Sequence, residues 1–384
     1  MRMGTRVAVS EPVLRWAIDR SGKPVDTLHE KFPHLHEWES GENSPTLRQL
    51  EGLAKATFTP LGFFFLKAPP EERLPVPYFR THSDTSPKTP SANLLQSVHT
   101  MQLRQAWARD YLTDHGRVPL PLVRCAGIDE PPTVVARRLH EVLGLSDGWA
   151  GLMNNWSEAL RHLQRAIEAV GVLVVVNGVV DNNNHRKLDP REFRGFVLVD
   201  EYAPLVFVNG ADAKAAQMFT LAHELAHLAL GQSAVFDLRQ MQPATDPIEV
   251  ACNHVAAEFL VPASEFRQLW MHLGNDADRF LGIARRFKVS QLVAARRALD
   301  IGLITRDEFL EFYERNVHRE AEQKYDGGDF WATQRQRVGR AFGSMVVSAA
   351  KEGRLAYSEA YRLTGLYGLT FDHFVTVLAS EGGR

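Results

Sequence analysis

Five residues carry the clearest chemistry in this chain: His223, Glu224, Leu225, Ala226 and His227. Two histidines four residues apart lie one above the other on a helix face, about 6 Å apart at Cβ, so both imidazoles can reach one tetrahedral metal ion. Glu224 lies about 100° round the same helix from His223, where its carboxylate can take a proton from a water at the metal's open position. Such a site needs a third protein ligand from a later helix. Glu249 is the leading candidate, with Asn253 one turn on along the same face, and Glu258 and Glu265 are the alternatives. Spacing alone leaves Glu249 an equal second role, because Asp246-Pro247-Ile248-Glu249 also reads as a capping box with proline at the first helical position. His185, Tyr202 and His254 are the candidates for stabilising an oxyanion.

The elements that must position these groups follow from periodicity and turn signals. A helix from Trp156 through Val170 precedes an apolar strand, Val172 to Val176, a turn-rich insert at Asp181 to Pro190, and strands Gly195 to Val199 and Leu205 to Val208. Asn209-Gly210 closes the last strand, Asp212 is positioned to cap the next helix, and Gly231 ends it. Helices are expected from Ala92 to His115, from Thr133 to Leu143 and again from Pro247 to the C-terminus. The expected fold class is α+β: a mostly helical chain with a zincin-like catalytic domain, a small sheet plus the HExxH helix, flanked by helical domains. Its expected divisions are 1–75, a helical domain; 76–150, a helical linker region; 151–270, the catalytic domain; and 271–384, a helical C-terminal region. Leu205 to Val208 is the expected sheet edge, open to an extended substrate.

Composition excludes several classes. With 45% hydrophobic and 23% charged residues the chain reads as globular, not disordered or fibrous. Lysine and arginine total 44 against 46 acidic residues, so no global field marks a polyanion binder. Two cysteines, Cys125 and Cys252, are too few for a disulfide framework, and Cys252 reads as a small apolar residue inside a helix. No stretch approaches the roughly 20 apolar residues needed to span a bilayer, and the first ten residues lack a signal-peptide core. A cytoplasmic protein without membrane contacts is expected.

Taken together, Gly195-Phe196-Val197-Leu198, Val208-Asn209, Phe219 to Leu228, Glu249 to Asn253 and Ala256 to Pro262 resemble the ImmA/IrrE family of metallopeptidases over about residues 155 to 265. The resemblance implies a zinc-dependent, gluzincin-like protease with His223, His227 and Glu249 as Zn2+ ligands and Glu224 as catalytic base. Asn253 and His254 fall where a second ring of contacts would lie. His254-Val255 departs from the family's usual pattern, and an exposed helix position is the preferred reading of His254.

Two segments suggest nucleic-acid modules. Val25 to Phe32, Trp38 to Thr46 and Leu50 to Ala54 resemble the Xre-type helix-turn-helix, yet Phe32 to Glu37, which should read bases, holds no Arg, Lys, Gln or Asn. Residues 1–75 carry ten basic and ten acidic side chains, where a DNA reader needs a cationic face. The second segment, Arg279 to Leu299, has six basic and no acidic residues in a helix-turn-helix-like pattern. Its DNA contacts would be Arg285, Arg286, Lys288, Gln291, Arg296 and Arg297; packing against the catalytic domain is the preferred reading, so DNA is not a favoured partner. Gly327 to Trp331 and Val338 to Tyr367 read as a structural or partner-binding extension.

The expected function is a zinc endopeptidase that cleaves a regulatory protein, a repressor or antitoxin, in stress-response or toxin-antitoxin regulation, with a toxin as a further partner. The alternative is a non-proteolytic regulator or antitoxin-like binding protein whose metal site is structural.

Overall fold

The computed structural model describes residues 5–72, 74, 90–236, 246–274, 278–321 and 330–381. The expected division between 75 and 76 falls among residues outside them, as do Gly327 to Asp329. The described chain forms two compact units whose division falls between Val98 and His99.

The N-terminal unit holds four helices: α1 (Glu11–Arg20), α2 (Val25–Lys31), α3 (Leu35–Glu39) and α4 (Leu47–Thr57). Helical spacing of apolar residues brings Val13, Leu14, Ala17, Ile18, Leu28, Leu35, Trp38, Leu50, Leu53 and Phe64 into one core. Thr46 and Gln49 close a reciprocal capping box at the start of α4. Within Phe32 to Glu37, Leu35 faces that core and His34 pairs with Glu37 at 2.8 Å; Trp38, the next residue, also faces the core.

A long helix, α5 (Ala92–Asp114), continues into the second unit, which then runs α6 (Pro132–Leu143), α7 (Trp156–Ala169), β1 (Leu173–Asn177), β2 (Val179–Val180), β3 (Asn183–Lys187), β4 (Gly195–Leu198), β5 (Leu205–Asn209), α8 (Lys214–Leu230), β6 (Ala234–Phe236) and α9 (Pro247–Leu260). Seven further helices follow: α10 (Ala263–Leu273), α11 (Arg279–Phe287), α12 (Gln291–Asp300), α13 (Arg306–Ala321), α14 (Phe330–Val338), α15 (Arg340–Lys351) and α16 (Tyr357–Thr364), before α17 (Leu369–Glu381) closes the series. The class is α+β, with a mixed four-stranded sheet in the order β1-β5-β4-β6. β1 and β5 are parallel, and β4 runs antiparallel to both β5 and β6.

The strands read as continuous apolar runs because both sheet faces are buried. Val174, Val176, Val197, Val206 and Val208 share one core with α6 to α12. On the opposite face Phe196 and Phe207 stack at 4.7 Å. Elements from both ends of the unit close that side. Gln105 of α5 donates to the carbonyls of Leu198 and Ala203, Trp107 meets Phe342 edge-on, and Gly339, between α14 and α15, has so close an approach to β1 that a Cβ would stand 2.8 Å from the Val174 carbonyl oxygen. Arg104 is buried among the C-terminal helices. Its Nε donates to the Leu363 carbonyl at 2.9 Å and its Nη1 to that of Arg337 at 3.1 Å, tying together the ends of α16 and α14.

Several expectations change. Leu205 to Val208 is not an edge: β5 pairs with β1 on one side and β4 on the other, as burial of every residue in it requires. Among the described residues the strand beside β4 is the short β6. The segment Asp181 to Pro190 contains β3, which forms a hairpin with β2 just before it. The divisions at 150 and 270 fall inside a single core, to which α6, α11, α12 and Phe309 of α13 all contribute. Asp212 does not cap α8, whose N-cap is Ala213; its carboxylate instead accepts the Ala213 amide and lies 3.6 Å from Arg194.

Candidate metal centre

The HExxH residues sit in the interior of α8, and both ends of that helix are tied down by backbone. Before its start Gly178 and Gly210 pass so closely that a Cβ on Gly178 would lie 2.8 Å from the Ala211 nitrogen. Asn209 Nδ2 donates to the Phe193 carbonyl, and Gln217 Nε2 donates to the carbonyls of Gly210 and Asp212. At its end Gly231 takes a left-handed φ of 73°, and a Cβ there would strike the Arg124 side chain. The strap containing Arg124 and Ala126 donates to the last carbonyls of α8, Leu228 and Ala229, at 3.0 Å each. Nearly the whole helix is buried, including His223, Glu224 and His227 at 0% exposure.

α9 supplies the fourth group. Asp246 caps it, accepting from Ile248 N at 2.8 Å and Glu249 N at 3.4 Å, and Pro247 occupies its first position. The Glu249 carboxylate faces α8: Oε2 lies 3.2 Å from His223 Nε2 and Oε1 3.1 Å from His227 Nε2, while the two Nε2 atoms are 3.0 Å apart. Capping and convergence on the histidines are therefore divided between Asp246 and Glu249. Glu258 instead pairs with Arg297 and accepts the Ala263 amide, and Glu265 lies 3.8 Å from Arg286.

His223, His227 and Glu249 are the group of possible metal ligands among the described residues. Tetrahedral coordination at about 2.0–2.1 Å places ligand atoms about 3.3 Å apart, close to the separations seen. Glu249 Oε1 approaches His227 without making a well-formed hydrogen bond, and both Glu224 oxygens are buried with no hydrogen-bond partner among the described residues. Buried polar atoms converging in this manner fit a cation. The electrostatics agree. Burial pushes His223 down to about 4, so its ring is neutral at physiological pH and has a lone pair to give. Burial alone would raise Glu249, but His223 and His227 outweigh it and hold the carboxyl down to about 2. Burial, then the neighbouring Glu249, push Glu224 well above the ordinary carboxylate range, so it favours holding a proton.

Around the site, Asn253 acts on the protonation of His223, raising it, and its Oδ1 is buried. His254 is exposed on α9 and His185 is exposed on β3. Tyr202, in the β4–β5 turn, lies beneath the Arg109 guanidinium at 5.3 Å. Cys252 is fully buried in the main core, its thiol pushed well up by burial and then by Glu249. Gly195, which spacing alone does not mark as part of a site, lies on β4 against Thr220 and Glu224.

The basic residues of α11 and α12 are largely committed elsewhere. Arg286 lies against Gly148 and Gly151, where neither could carry a Cβ without striking its guanidinium, and donates to the Gly148 carbonyl. Lys288, in a left-handed conformation, donates to the Arg285 carbonyl at 2.6 Å; Arg297 is 8% exposed and donates to the Val261 carbonyl; Arg296 pairs with Asp300 at 2.9 Å. Arg285 is exposed and Gln291 half-buried. Arg279 to Leu299 thus presents no continuous cationic stripe.

Residues 167–299 match the family model described as the IrrE N-terminal-like domain, Peptidase M78, which supports the ImmA/IrrE resemblance and a metallopeptidase-like role for this segment. Residues 338–376, in α15 to α17 and the turns joining them, match a model described as a domain of unknown function, DUF8813. No curated protein matches the chain.

Proposed function

We propose that the protein is a zinc-dependent endopeptidase in which His223, His227 and Glu249 hold the metal and Glu224 is the general base. The observation that carries this reading is the convergence of those three ligand atoms within 4.8 Å, beside a carboxylate with no hydrogen-bond partner among the described residues. A bound zinc ion supplies Lewis acidity, polarising a peptide carbonyl and acidifying a water. Glu224 would accept the water's proton, which its raised proton affinity favours, and would pass it to the leaving amine. A neutral His223 imidazole and an ionised Glu249 keep these two ligands in their binding state at neutral pH.

An extended substrate segment adds along β6, which among the described residues pairs only with β4. The substrate is a regulatory protein, a repressor or antitoxin, cleaved in the cytoplasm in a stress or toxin-antitoxin response. This substrate class rests on the family resemblance. The test is a substrate trap: Glu224→Gln, with metal bound, is used to capture a protein from the native host, and wild type is then assayed for cleaving it. A captured protein that wild type cuts and Glu224→Gln does not supports the reading. A captured protein that neither cuts favours a non-proteolytic binding role.

A further inference from the structure

β4 begins with a glycine whose presence its backbone does not explain. Gly195 is absent from the positive-φ positions of the described chain, so any residue could adopt its conformation. A glycine within a strand also loses about 0.5–1 kcal/mol relative to alanine. The explanation lies in space. A Cβ at Gly195 would lie 2.5 Å from Thr220 Cγ2, 2.8 Å from the Phe207 carbonyl oxygen and 3.2 Å from Glu224 Oε1. Thr220 and Glu224 are successive turns of one α8 face, both with at most 1% exposure, and that face lies on the bare backbone of β4. Glu224 has no hydrogen bond among the described residues to fix its carboxylate. Among the described residues its placement is therefore set by packing, and the bare backbone of Gly195 is part of the surface it packs against.

We propose that Gly195 is a positioning residue: its missing side chain lets α8 close on β4 and sets where the Glu224 carboxylate stands relative to His223 and His227. The proposal rests on the reading of Glu224 as the base. An alanine Cβ at Gly195 meets the Thr220 methyl and the Glu224 carboxylate, and none of His223, His227 and Glu249 is among the atoms nearest to it, although the two histidines share that face of α8. Gly195 therefore governs what Glu224 can reach and has little effect on metal affinity.

The experiment uses the full-length protein loaded with cobalt(II), with acetohydroxamate as the probe. Its binding is followed by the visible cobalt absorption, and folding is checked by thermal melting. A bound hydroxamate donates to a carboxylate standing where Glu224 is assigned, and a charge-assisted hydrogen bond of that kind is worth about tenfold or more in affinity. Glu224→Gln, the reference, should show that loss. Gly195→Ala should show a comparable loss with cobalt affinity changed less than about threefold, and adding Thr220→Ser, which removes the Cγ2 methyl, should recover part of it. Thr220→Ile thickens the same contact from the helix side and should reproduce the effect if Gly195→Ala does not fold. Unchanged hydroxamate binding in folded Gly195→Ala, or in Thr220→Ile where that variant replaces it, overturns the proposal, as does a parallel loss of cobalt affinity. No loss in Glu224→Gln overturns the assignment of Glu224 on which it rests.

Discussion

At the scale of single residues, the two ends of one short motif on α9 have separate tasks. Asp246 satisfies the first amides of the helix, and Glu249, three residues later, turns its carboxylate toward His223 and His227. Asp246→Ala should therefore cost about 1 kcal/mol of stability while leaving metal affinity nearly unchanged. Glu249→Gln should do the reverse, lowering metal affinity by about tenfold or more with the fold intact; thermal melts and metal titrations of the two variants separate the effects. The histidine pair and its glutamate were readable from sequence because helical spacing fixes where residues i, i+1 and i+4 point. Glu249 was not decided by spacing, since the same residue types at the same offsets also form a capping box. Only the placement of α9 across α8 separates the two roles. Gly195 gave no signal as a site residue because its meaning depends on a helix packed on the far side of the strand.

Helix and strand positions follow the same division. The strands β1, β4 and β5 fall within a residue or two of where their apolar runs placed them, and α7 and α8 end as their turn residues indicate. β3 escaped because Asn183-Asn184-His185-Arg186-Lys187 has no alternating apolar face; among the described residues the strand it pairs with is β2. β6 is three residues long, too short for any period to register. The order of strands was unreadable for a different reason: β1 joins β5 in parallel across a separation that no local pattern encodes. The C-terminal helices, legible as helices, give no sequence hint that they close the second face of the sheet. Arg104 is the residue that fastens them, buried with its guanidinium on the closing carbonyls of α14 and α16 and its proton affinity lowered by that burial to about 10. Arg104→Met should cost about 3 kcal/mol in denaturant unfolding, because those carbonyls lose a charged donor in a buried setting. Glu168, at the end of α7, accepts the Ala341 amide at the start of α15 and is raised to about 7, chiefly by burial. Its neutral form suits the fold, so its contribution is full below about 4.5 and is lost as pH rises to about 7. Glu168→Gln should remove that decline, measured as melting temperature at pH 5 and pH 8.

For the whole molecule, the acid side of the stability profile belongs to the metal centre. In metal-free protein His223 stays neutral down to about 4, whereas an unfolded histidine takes up its proton near 6.5. Stability should thus be full above about 6.5 and fall as pH drops toward 4, with Glu249, held near 2, adding a further loss below about 4.5. Metal at about a thousandfold over its dissociation constant should add about 4 kcal/mol to the folded state, read as a drop in melting temperature when chelator is added. Of the six basic residues from Arg279 to Leu299, Arg296 is paired with Asp300, Arg297 with Glu258, and Arg286 donates to the Gly148 carbonyl.

The central claim is that Glu224 turns a buried metal site into a peptidase. Its most direct measurement compares wild type with Glu224→Gln, both zinc-loaded, on the protein captured by the trap. The account predicts equal zinc content and a cleavage rate lower by about a hundredfold or more in the variant. Equal cleavage by both, with zinc bound in each, would contradict it.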